Sequence, residues 1–61
     1  MTIAFNTTDG KHFRFEGADA DDAYRQYLNP KHKVIFILGE VEVYIVKRHI
    51  ASVVAGDWRE E

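Results

Sequence analysis

Apolar residues alternate with polar or small ones from Thr2 to Glu16, then recur at helical spacing, then crowd into two β-branched runs. In the first stretch Ile3 and Phe5 stand at alternate positions, as do Phe13 and Phe15, and Thr8-Asp9-Gly10 separates the pairs. A period of two around a glycine-bearing turn predicts a hairpin over 2–16. The loop length follows from the faces. A two-residue Asp-Gly loop would pair Phe5 with Arg14 and Ile3 with Glu16, splitting the apolar residues over both faces. A three-residue loop, with Gly10 left-handed in a G1 bulge, pairs Phe5 with Phe13 and Ile3 with Phe15 and puts all four on one face. The second is the expected arrangement.

Gly17-Ala18 breaks this strand. Asp19 is a candidate N-cap, and Asp21 and Asp22 sit in the first turn against the positive helix end. Ala20, Ala23, Tyr24, Tyr27 and Leu28 follow at i, i+3, i+4, i+7 and i+8, which is a helical stripe. Asn29 suits the position after the helix, and Pro30 stops it. A helix of about ten residues cannot stand alone and must pack on a sheet.

The most apolar stretch is Val34 to Val46, interrupted by Gly39-Glu40. Glycine at the first central position suits a two-residue type II′ turn. That loop pairs Leu38 with Val41, Phe36 with Val43 and Val34 with Ile45 as one core face, and predicts Phe36 and Val43 as buried neighbours. The other face then carries Ile35, Ile37, Tyr44 and Val46 beside Glu42. Lys47-Arg48-His49 reads as a tight turn, Ile50 to Ala55 as a short fifth strand, and 57–61 as a flexible tail. The expected fold is α+β, a single domain over 1–61 in the order ββαβββ, with a bent, mostly antiparallel sheet or small barrel and one short helix.

Two stretches resemble known families. The first 28 residues, with Thr7-Thr8-Asp9-Gly10-Lys11 and then Tyr24-Arg25-Gln26-Tyr27, look like the ββα half of small β-grasp domains. That implies, as a runner-up fold, a four-stranded β-grasp with a C-terminal extension. Tyr44 to Val54, with its Lys47-Arg48-His49 turn, is similar to the last two strands of Sm-like RNA-binding barrels. The first covers under half of the chain and the second eleven residues, and no function is carried over from either.

Composition narrows the classes. Sixty-one residues hold one small core, and a chain of this length buries only about 60% of its extended surface. With no cysteine there is no disulfide framework and no thiolate zinc site. The N-terminus shows no basic segment or long apolar run, so no signal peptide is expected, and Val34 to Leu38 is far too short to span a bilayer. The expectation is a cytoplasmic protein without a membrane partner. The net charge of −2 argues against a general polyanion binder, but the charges are segregated. Four of the eight Lys and Arg and two of the three His fall in Lys31-His32-Lys33 and Lys47-Arg48-His49, which the hairpin brings to one end of the sheet. Such a pole suits phosphate, an acidic segment or nucleic-acid backbone. The plainer reading is a solvated strand end whose lysines deter edge pairing.

Little chemistry is expected. His32 and His49 lack a third metal ligand, Ser52 is the only serine and has no nucleophile elbow, and no cofactor is implied. The expected function is a non-enzymatic interaction module working through protein contacts, with self-association as one form. The candidate interface is Ile35, Ile37, Tyr44 and Val46, with Trp58 as an anchor in the tail. Two coverings of this stripe stay open: the first hairpin in a closed barrel, or another chain. The alternative function is accessory nucleic-acid binding by the basic pole.

Overall fold

The first hairpin forms with the three-residue loop. In the computed structural model, which describes residues 1–39 and 41–57, β1 (Thr2–Thr7) and β2 (His12–Glu16) pair antiparallel. Ile3 lies opposite Phe15 and Phe5 opposite Phe13. Gly10 holds φ +86°, where a Cβ is strained, and lets Thr7 N–H reach Lys11 O at 2.9 Å.

The chain then enters α1 (Gly17–Leu28) three residues earlier than an N-cap at Asp19 would place it. Glu16 occupies the cap position without a side-chain cap bond, and Asp19 lies inside the first turn. The reason is Gly17, whose φ of +63° turns the end of β2 directly into the helix. Asp19 therefore faces the helix dipole and is not the N-cap. At the other end Asn29 N–H donates to Arg25 O at 3.2 Å, and Pro30 follows.

The central hairpin forms, but in a different register. β3 (Val34–Leu38) pairs antiparallel with β4 (Glu42–Val46), placing Leu38 opposite Glu42, Phe36 opposite Tyr44 and Ile35 opposite Ile45. The loop has three residues, 39–41, and Gly39 is not at positive φ, so the type II′ turn is not used. β4 keeps its expected facing and β3 is inverted. Ile35, Ile37 and Ile45 are buried, and Phe36 is 42% exposed on the opposite face. Every residue of β3 is apolar, so nothing in its own pattern marks a solvent side. The arrangement that forms sends the two branched isoleucines into a core that already holds Phe5 and Phe15, and turns Phe36 and Leu38 outward.

A single 3-10 turn (Lys47–His49) leads into β5 (Ile50–Gly56), which pairs antiparallel with β1 through a bulge between Asn6 and Thr7. Two sheets result, β2-β1-β5 and β3-β4. The β-grasp arrangement is not adopted, since residues 50–56 are a strand of the first sheet and the described residues form a three-stranded and a two-stranded sheet, not a four-stranded one. The fold is a small α+β domain in the order ββαβββ. Its core lies between the sheets and under the helix: Ile3, Phe5, Phe15, Ala20, Ala23, Ile35, Ile37 and Ile45. Tyr27 rests on Phe5 at a ring-centroid distance of 5.8 Å, and Tyr24, Tyr27 and Leu28 all keep exposed surface. Trp58 and the rest of the expected tail, 58–61, lie outside the described residues.

Candidate interaction surface

Among the described residues, the rest of the fold covers the second sheet on one side only. Its outer face carries Val34, Phe36 and Leu38 from β3 and Tyr44 and Val46 from β4, because alternate residues of a strand share a face. Leu38 is 69% and Tyr44 65% exposed, and Val34 and Val46 are half-buried. Phe36 and Tyr44 meet edge to face, centroids 6.1 Å apart and planes at 74°. This cross-strand aromatic pair stands where no described residue covers the sheet.

The candidate interface of Ile35, Ile37, Tyr44 and Val46 is thus divided. Tyr44 and Val46 are on the outer face, whereas Ile35 and Ile37 are core residues and unavailable to a partner. The outer-face residues of β3 were illegible because inverting that strand exchanges one apolar set for another.

The free edge of β3 is closed by a side chain. Gln26 of α1 donates from Nε2 to Phe36 O at 2.9 Å and accepts Phe36 N–H on Oε1 at 2.8 Å. Phe36 therefore directs its backbone groups away from β4. By the alternation of antiparallel ladders, Tyr44 opposite it directs its own away from β3. No hydrogen bond from another described residue reaches the Tyr44 N–H or C=O. A cleft of about 150 Å³ runs beside this edge, lined by Thr7, Asp9, Lys11, Phe13, Tyr44, Val46 and His49. In its wall Asp9 accepts the Thr7 hydroxyl, which is the main reason its carboxyl lies below the usual value. Desolvation opposes that shift, and the N–H and ammonium of Lys11 add to it.

The charged residues partly gather. Lys47 N–H donates to Lys33 O at 3.0 Å, so Lys33 lies opposite Lys47. Pro30, His32, Lys33, Val34, Val46, Lys47 and Arg48 line a groove of about 430 Å³ at the open end of the hairpin. Lys31 is exposed in the adjoining turn, its N–H on Asn29 Oδ1 at 3.0 Å. His49 belongs to the other cleft. Lys47 is already committed: its Nζ donates to Tyr27 O at 3.0 Å and Asn29 O at 2.7 Å, the carbonyls at and just beyond the helix C-terminus. Lys33 and Arg48 make no ion pair with another described residue. Glu42 at the turn end of β4 makes none either.

A polar row crosses the outer side of the first sheet. His12 Nδ1 lies 2.7 Å from Asn6 Oδ1, and Asn6 Nδ2 donates to Ser52 Oγ at 3.1 Å. An amide stands between ring and hydroxyl, so the histidine does not act as a base on the serine. Among the described residues no three His, Asp or Glu side chains converge as metal ligands, and no helix is long and apolar enough to cross a membrane. Comparison of the chain with protein-family models, with curated proteins and with solved structures finds no match.

Proposed function

We propose that this protein is a non-enzymatic interaction module that works through protein contacts, and that the outer face of β3–β4 makes them. The observation that carries this reading is the placement of Phe36, Leu38 and Tyr44 side by side in solvent, in a domain whose core cluster comprises eight buried side chains among the described residues. Exposing three large apolar residues together in so small a protein wastes burial that the fold needs, unless another surface covers them. A photo-crosslinking side chain at position 44, compared with one at Asp21 on the helix, tests it in cell extract. Adducts of defined mass should form from position 44 and vanish when Phe36 is changed to Lys. Equal labelling from both positions, or none from 44, would refute the reading.

A second reading rests on the basic groove. Lys33 and Arg48 border about 430 Å³ of open space floored by Val34 and Val46, a shape that accepts a phosphate-bearing chain. Against it, Lys47 is spent on the helix carbonyls, and those carbonyls bring the negative end of the dipole to the same place. Anisotropy of a labelled single-stranded oligonucleotide at low salt decides it. Binding that falls steeply with salt, and drops on changing Lys33 and Arg48 to Gln, would support nucleic-acid recognition.

A further inference from the structure

The partner is identified by how charge is distributed along the outer face. Glu42 marks the turn end of the hairpin, and Asp19 lies close by: a Cβ on Gly39 would sit 3.6 Å from its Oδ2. Lys33 and Arg48 mark the open end, beyond Val34 and Val46. Between the two ends the face carries only Val34, Phe36, Leu38, Tyr44 and Val46. It is an apolar strip with an unpaired negative charge at one end and two unpaired positive charges at the other, counted among the described residues.

Such a strip is complementary to itself. We infer that its occupant is a second copy of this chain, packed face to face as a symmetric dimer; this rests on the outer face being the contacting surface. Two identical sheets stacked about 10 Å apart are related by a two-fold axis lying between them. An axis along the strands sets turn end against turn end, so Glu42 meets Glu42 and Arg48 meets Arg48. An axis across the strands reverses the partner, and Glu42 of each copy meets Lys33 and Arg48 of the other. The second arrangement turns both like-charge contacts into attractive ones and stacks the Phe36–Tyr44 pair on its own copy at the centre. It also buries the aromatic pair under a rim of charge, the usual anatomy of a specific interface.

Sedimentation equilibrium on the purified chain, from low micromolar to about 1 mM, gives the test, with mixing as its decisive arm. The wild type should pass from monomer to dimer. Glu42→Lys and Arg48→Glu should each weaken the dimer about tenfold or more, because each creates like-charge contacts. Mixed in equal amounts, these two variants should associate again as a heterodimer, since each then supplies the charge that the other lacks. Phe36→Ser should leave a folded monomer. High salt should weaken the wild-type dimer without abolishing it, because the apolar centre is not screened.

The outcomes separate the possibilities. A wild type that stays monomeric to about 1 mM overturns the dimer, while adducts of position 44 with other proteins would still uphold the broader reading. A dimer that survives Phe36→Ser is joined elsewhere, most simply along the open edge at Tyr44, and overturns the face-to-face packing. Larger assemblies would require two different surfaces, such as the outer edges of β4 and β5, and overturn it too. Single charge variants that dimerise like the wild type, or fail to rescue each other on mixing, overturn the crossed orientation.

Discussion

At the scale of single residues, Gly10 and Asp9 fix the first turn by separate means. The space around Gly10 is open, so a methyl group there meets nothing, and the penalty for Gly10→Ala comes wholly from its φ of +86°. The variant should lose about 1 kcal/mol in chemical denaturation, and Gly10→Asn, which tolerates this region better, should lose less. Asp9 acts through ionisation. Its folded carboxyl lies below the ordinary value of 3.8, chiefly because it accepts the Thr7 hydroxyl. A depressed carboxylate adds to stability above the unfolded value and loses that contribution as pH falls through the folded one. The turn should therefore hold through mildly acidic solution and loosen below the ordinary carboxylate range. NMR titration of the Lys11 amide, which faces Asp9 Oδ1 at 3.4 Å, checks this, and an amide shift complete well above pH 4 would contradict it.

At the scale of elements, the two hairpins show what a pattern can and cannot specify. The first was legible because one choice of loop unites Ile3, Phe5, Phe13 and Phe15 on a single face, and the fold adopts it. The second was legible as a hairpin, with the facing of β4 fixed by Glu42 and Tyr44, but β3 has no polar residue to orient it. Its orientation depends on what packs beneath it and on Gln26, a contact between elements that no local periodicity records. Gln26 stands three residues after buried Ala23, on the flank of the helical stripe, where a polar side chain reaches a strand edge. Gln26→Ala removes both bonds to Phe36 and opens that edge. A loss of about 1–3 kcal/mol is expected, together with faster aggregation on storage, read by denaturation and by light scattering. Gln26→Glu keeps one acceptor and should fall between the two.

At the scale of the whole molecule, charge and burial follow one axis. The N-terminal turn of α1 carries Asp19 at the closed end of the hairpin, and its C-terminal carbonyls hold the Lys47 ammonium at the open end. Part of the charge segregation read from the chain thus answers the helix dipole, whereas Glu42, Lys33 and Arg48 make no ion pair with another described residue and are the charges the proposed dimer relies on. The approach of His32, Lys33, Lys47 and Arg48 at one end was legible, but the departure of His49 to the other cleft was not. Nor was the commitment of Lys47, because it depends on where the helix stops in space. The core has no reserve, with four isoleucines and two phenylalanines closing the space between the sheets. That makes a sharp test of the register possible. Ile35→Ala should cost about 2–5 kcal/mol, comparable to the whole stability of a domain this size, and unfold the chain. Phe36→Ala removes a larger side chain one position away. At low micromolar concentration, where only the monomer contributes, it should cost no more than about 1.5 kcal/mol, the worth of its edge-to-face contact with Tyr44. If β3 faced the other way the order would reverse, with Phe36→Ala unfolding the protein and Ile35→Ala tolerated. Thermal denaturation of the two variants side by side therefore reports the facing of β3 directly, and with it which residues are free to meet a partner.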